Sequence, residues 1–160
     1  MEEDKVKLRS QEDQIFEIEE SAAFKSQILR SMIEGFDGKE EISLPIKAAI
    51  IEKILLYLKH YKDLEPPVIE KPLRTANLEE ILPAWDVDFL NLETEMIFEL
   101  ILAANFLCIS PLLDLLCAKL ASLLKDKTSE EIRSAFHIKN DFTPEEEAKI
   151  REENLWAEME

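Results

Sequence analysis

Between Glu93 and Ile109 the apolar residues Met96, Ile97, Leu100, Ile101, Ala104 and Cys108 recur at intervals of three and four, with further apolar side chains between them. This spacing predicts a helix, and its lack of a polar face predicts one buried nearly all round. Such a helix needs cover on every side, and a chain of 160 residues is long enough to bury a core of that kind as one domain, with room for an appendage.

The first fifth of the chain follows a different period. Val6 and Leu8, then Phe16 and Ile18, alternate with polar residues on either side of the polar stretch 10–14, which reads as a β-hairpin. Ser21 is placed to cap a short helix carrying Ala22, Ala23, Phe24, Ile28, Leu29 and Met32 on one face and closing at Gly35. Ile42, Leu44 and Ile46 return to period two and supply a third strand over Glu41 to Lys47, which Pro45 places at a sheet edge because it has no N–H to donate. A helix over Ala48 to Tyr61 carries Ile50, Ile51, Ile54, Leu55 and Leu58 on one stripe, and the Pro-containing, charged segment 63–83 follows as a loop or linker.

Three later helix starts each offer a hydroxyl to an otherwise orphan backbone N–H. Ser110 precedes Pro111, Thr128 precedes Ser129-Glu130-Glu131, and Thr143 precedes Pro144-Glu145-Glu146. The last two fit a capping box, in which a glutamate three residues on bonds back to the cap, and two of the three starts carry proline at the first helical position. Helices are therefore expected over about 111–125, 129–136 and 144–155, and the final 34 residues read as an appendage of short helices.

Charge and cysteine usage narrow the function classes. With 35 acidic against 19 basic residues and a formal net charge of −16, the chain repels nucleic acid and anionic lipid. No apolar run approaches the roughly 18 residues needed to span a bilayer, and the N-terminus MEEDKVKLRS lacks an apolar signal region. Cys108 and Cys117, nine positions apart inside apolar segments, match neither a disulfide framework nor a paired-thiolate metal motif and read as reduced, buried thiols. The expected location is cytoplasm and nucleus.

A search for chemistry by residue type and spacing yields no catalytic or metal constellation. His60 and His137 have no ligand partner at a metal spacing and read as surface or groove-edge imidazoles. Gly35 and Gly38 are the only glycines, too few for a phosphate cradle. The carboxylate runs Glu145 to Glu147 and Glu152-Glu153 sit where they complement a helix dipole or coat a solvated face. No catalytic residue, metal ligand or cofactor is nominated, and the chain is expected not to be an enzyme; an enzyme built from scattered carboxylates has no supporting constellation.

The tail carries Phe136, Ile138, Phe142, Leu155 and Trp156 in short helices rich in acidic residues. From pattern alone these either pack back onto the preceding domain or form a groove for a partner helix.

The stretch 127–156, KTSEEIRSAFHIKNDFTPEEEAKIREENLW, closely resembles the C-terminal signature of the S-phase kinase-associated (Skp) adaptor family, the F-box-binding subunit of SCF ubiquitin ligases. FELILAANFL at 98–107, Leu112-Leu113-Asp114, Trp85-Asp86 with Phe89-Leu90, and Leu44-Pro45 ahead of an Ala-rich helix start follow the family's order, so the resemblance covers nearly the whole chain. It implies an α/β (α+β) fold: a BTB/POZ-type domain over 1–125 with a small N-terminal sheet and a helical bundle, then a two-helix extension over 126–160. It also implies an adaptor that bridges F-box substrate receptors to the cullin scaffold, and through it indirectly to the RING subunit and the E2 ubiquitin-conjugating enzyme. The alternative within the same family is an F-box-protein-binding subunit of a cullin-independent complex, at a kinetochore or in trafficking.

Carried over by matching position, the resemblance nominates Leu44, Pro45, Ile46, Asn105 and Phe106 for cullin binding. For F-box binding it nominates Leu113, Leu116, Ile132, Phe136, Ile138, Asn140, Phe142 and Trp156. Pro144, in the context FTPEEE, matches a proline that some protist members hydroxylate; the plainer reading is a proline that opens a helix. Pro111 stands where the family often has glycine, Ala157 where a cysteine is frequent, and 117–124 is more uniformly aliphatic than usual, which points to a divergent paralogue with a narrowed partner set. The family's acidic loop is here the segment 65–83, less acidic, carrying Lys71 and Arg74, and expected to be mobile.

Overall fold

The computed structural model describes residues 4–35 and 41–158, and Gly38 lies outside them. The chain divides into two compact units, Met1–Lys125 and Asp126–Glu160.

In the first unit the two alternating stretches form strands β1 (Lys5–Arg9) and β2 (Ile15–Glu19), paired antiparallel with Val6 opposite Ile18 and Leu8 opposite Phe16. The hairpin closes on Ser10, whose backbone N–H donates to the Gln14 carbonyl at 2.8 Å while its hydroxyl accepts from the N–H of Glu12 and of Gln14. Strand β3 is only Ile42–Ser43, parallel to β1 at the edge of the order β2-β1-β3. It is shorter than its period-two pattern because Pro45 cannot donate to the ladder. The chain nevertheless stays tied to the hairpin beyond the strand, through Leu44 N–H to the Arg9 carbonyl (2.9 Å) and Gln11 N–H to the Ile46 carbonyl (2.9 Å).

The early helix is two pieces, α1 (Glu20–Ala23) and α2 (Gln27–Gly35). Ser21 lies inside α1 and caps nothing. The break falls at buried Ser26, whose hydroxyl accepts from Leu29 N–H and donates to the Leu107 carbonyl at 2.5 Å. A short-range pattern cannot foresee a cap that also serves a partner 81 residues away.

Helix α3 (Ala48–His60) buries its aliphatic stripe, and α5 (Thr94–Phe106) buries Ile97, Leu100 and Ala104 completely. The expectation that α5 is buried all round needs correction: Phe98, Leu102 and Phe106, four residues apart, form an exposed apolar stripe, with Leu102 at 70% exposure. Between them in sequence lies a helix that periodicity did not reveal, α4 (Ala84–Phe89). It packs through aromatic rings: Trp85 stacks on Phe89 and, at 3.6 Å and nearly parallel, on His60. Tyr57 and Tyr61 complete the cluster, and the Tyr61 hydroxyl donates to the fully buried Asp86.

Helix α5 ends in a Schellman turn at Cys108 (φ 51°), where Ile109 N–H reaches the Ala104 carbonyl and Cys108 N–H the Asn105 carbonyl. This corrects the reading of Cys108 as a buried helical thiol: both Cys108 and Cys117 are exposed. Helix α6 (Ser110–Leu124) starts with Ile109 as its cap and no side-chain bond, so Ser110 does not play the role its hydroxyl suggests. In the segment 65–83, expected to be mobile, Leu78 and Leu82 are buried at its end and Lys71 pairs with Asp114 of α6 at 2.7 Å, while Val68 is 95% exposed.

The second unit holds α7 (Ser129–Ala135), α8 (Pro144–Glu153) and a 3-10 turn, Leu155–Glu158. Both capping boxes form as expected at Thr128/Glu131 and Thr143/Glu146. Neither α7 nor α8 contains a buried residue.

Candidate functional site

The first unit presents a groove of about 300 Å³ where the turn before α3 meets the exposed side of α5. Pro45, Ile46 and Ile50 form one wall, and Leu102, Ala103 and Phe106 the other. The hairpin loop builds the first wall. Gln11 bonds the Ile46 carbonyl, and the Glu12 carboxylate accepts Ala48 N–H at 2.8 Å, capping α3 from a distance. That bond holds the Glu12 carboxyl below its ordinary value. The Lys47 ammonium donates to Glu99 at 2.9 Å, joining the two walls at their polar rim.

The residues expected to bind a cullin therefore separate. Pro45 and Phe106 are exposed and share the groove, Ile46 lines it while remaining largely buried, and Asn105 is exposed beside Phe106 without lining it. Leu44 is only 3% exposed: it is a core residue, which holds the turn in place from behind. Leu102 was missed, although its place on a helix apolar on every side was the available signal.

In the second unit Ile138, Phe142, Ile150, Leu155 and Trp156 are exposed, Trp156 at 73%. Ile132 and Phe136 are half-buried. Asn140 shapes the connection between α7 and α8: its side-chain oxygen accepts Phe142 N–H, and its amide reaches Glu147, which also pairs with Arg133. A unit of this size has too little volume to close a core of its own. Pro144 takes the first helical position of α8, where the lost N–H would have been an orphan in any case. On α6 of the first unit, Leu113 packs half-buried against the core. Leu116 is sealed at 0% exposure, which corrects its nomination as a contact: the period-3.6 stripe of α6 turns it inward.

Asp86 is the one buried carboxylate among the described residues, its carboxyl raised by burial and partly restored by the Tyr61 hydrogen bond. No group of three or more potential metal ligands occurs among the described residues, and no helix among them is long and apolar enough to cross a membrane.

The arrangement matches known proteins along its length. The family descriptions "Skp1 family, tetramerisation domain" and "Skp1 family, dimerisation domain" fit residues 4–63 and 110–157. The S-phase kinase-associated protein 1 homolog of Tetrahymena thermophila is 53% identical over 156 residues, covering 96% of this chain and 94% of the relative. The chain belongs to the Skp1 family. The SCF ubiquitin ligase complex protein SKP1a of Dictyostelium discoideum is 44% identical over 155 residues (96% and 95% of the two chains), and the SKP1-like protein 1A of Arabidopsis thaliana 42% over 154 (96% of each). Membership in the Skp1 family bears out the mixed α/β fold with a POZ-type first part, seen here as a three-stranded sheet under helices.

Proposed function

We propose that this chain is the adaptor subunit of an SCF-type ubiquitin ligase, holding an F-box protein with its C-terminal helices and a cullin with the groove between the α3 turn and α5. The observation that carries this reading is the second unit: helices with formed capping boxes, no buried residue, and Phe142 and Trp156 left 48% and 73% exposed. Exposed apolar side chains on ordered helices mark a surface that a partner completes. The relatives named as SCF ubiquitin ligase complex proteins support the same conclusion.

In this role the chain performs no turnover. Substrate choice belongs to the F-box partner and ubiquitin transfer to the RING subunit and E2 enzyme on the cullin, so the chain supplies geometry in cytoplasm and nucleus. The nominated contacts are Pro45, Ile46, Asn105 and Phe106 toward the cullin, and Leu113 of α6 together with Ile132, Phe136, Ile138, Asn140, Phe142 and Trp156 toward the F-box. Co-expression with an F-box segment and a cullin N-terminal domain, followed by size-exclusion chromatography, tests the proposal. A three-component peak is expected; a stable F-box complex that never recruits cullin would instead place the chain in a cullin-independent assembly.

A further inference from the structure

The second unit contains a cleft of about 640 Å³ between α7 and α8 whose charge runs against that of its surroundings. The stretch 126–160 carries eleven acidic and five basic residues. Three of the five cations, Lys127, Arg133 and Arg151, line the cleft, against two of the acidic residues, Glu130 and Glu147. The wall is thus net cationic in a strongly anionic segment. Its floor is apolar, from the exposed Phe142 and Ile150.

The cations are not equally engaged. Arg133 pairs with Glu147 at 3.4 Å. Lys127 and Arg151 are exposed and form no ion pair among the described residues. Glu131 attracts Lys127 electrostatically but forms no salt bridge with it, its carboxylate being engaged in the capping box, where it accepts Thr128 N–H at 2.8 Å. Two cations without a salt bridge, above an apolar floor, suit a helix with one apolar face and a carboxylate at its edge. A basic helix would meet like charge there and lose the complementarity.

We infer that the α7–α8 cleft selects, among helical partners, amphipathic segments that place a carboxylate against Lys127 and Arg151. The inference rests on the adaptor reading and refines it: apolar burial supplies the grip, and the two cations decide which F-box sequences dock fastest. Because both cations are exposed, their contribution is electrostatic steering plus a modest contact term, so it shows in the association rate and in its salt dependence.

The test uses the full chain, a recombinant F-box segment with its natural acidic residues, and the same segment with those residues changed to amides. Association and dissociation rates are measured at low and at physiological ionic strength for the wild type and for Lys127→Gln/Arg151→Gln. Circular dichroism confirms that the variant keeps its helices. The double variant is expected to bind the acidic segment about fivefold more weakly, mainly through slower association, with a flatter salt response. The amidated segment should not distinguish the two proteins. Arg151→Glu should recover affinity for a segment whose carboxylate is replaced by lysine. Unchanged rates and salt response in the double variant overturn the inference while leaving the adaptor reading intact. Failure of the wild type to bind either segment overturns both.

Discussion

The Tyr61 hydroxyl reaches both carboxylate oxygens of Asp86 at 2.7 Å, and both residues lie in the interior, where they join α3 to α4. Among the described residues, the Tyr61 hydroxyl is the donor to this carboxylate. Burial raises the Asp86 carboxyl and the Tyr61 bond lowers it again, so the pair is coupled to pH. A raised carboxyl makes the ionised form costly in the fold: that cost is present above the folded-state pKa and fades as pH falls toward the ordinary carboxylate range. Tyr61→Phe should therefore destabilise the protein by about 1–3 kcal/mol at neutral pH, the cost of a buried acceptor left without its donor. The deficit should shrink on acidification as Asp86 becomes neutral. Urea unfolding of both proteins across pH 4 to 8 checks this; a deficit that grew toward acid would contradict the assignment.

Cys108 holds a left-handed backbone conformation (φ 51°) at the end of α5, a position where an L side chain costs about 1–2 kcal/mol and glycine nothing. Glycine loses more freedom on folding, which offsets part of that gain. Cys108→Gly should therefore raise stability by about 0.5–1 kcal/mol, visible as a higher Tm, whereas the β-branched Cys108→Val should lower it. As the thiol is exposed, neither change opens a cavity.

What the sequence made legible was whatever local chemistry decides. The hairpin, the stripe of α3 and the two capping boxes each follow from neighbours a few residues apart. What it hid was decided at a distance. Ser26 breaks the early helix because its hydroxyl serves Leu107, and Glu12 caps α3 from another element. Helix α4 spans six residues, too few for periodicity to register, and is held by rings from α3. In the candidate sites, the resemblance named Leu44 and Leu116 with their neighbours, but burial turns on which way a side chain faces, and both face the core. The exposed side of α5 was hidden by its own greasiness, since Leu100 and Leu102 look alike in sequence while one is sealed and the other open.

The tail helices depend on their caps because they have no interior. The Glu131 carboxyl is lowered chiefly by the Thr128 N–H it accepts, so its contribution is complete above the ordinary carboxylate range and is lost as pH falls through the depressed folded value. Helicity of the tail should thus decline on acidification in the wild type, and this decline should be weaker in Glu131→Gln. Thr128→Ala should cost about 1 kcal/mol of helix stability at neutral pH. Residue-specific amide exchange over 128–135 reads both effects, and protection unchanged in Thr128→Ala would contradict the role of the box.

The proposed separation of cullin-facing and F-box-facing residues predicts that binding defects separate. Trp156, at 73% exposure, has little folded structure of its own to lose, so Trp156→Ala should spare thermal stability and cost about 2 kcal/mol or more of F-box affinity. Phe106→Ala truncates the groove wall that Phe106 forms with Leu102 and Ala103 and should weaken cullin binding by a similar amount, about 2 kcal/mol. A charge at Asn105, exposed on the same helix end, should act in the same direction through desolvation at the interface. Each variant should retain the affinity its partner unit supplies, measured by calorimetry with the F-box segment and the cullin domain separately. Because additivity holds for distant sites without shared partners, Trp156→Ala/Phe106→Ala should lose both affinities by the sum of the single effects. Loss of both in either single variant would mean that one surface serves both partners.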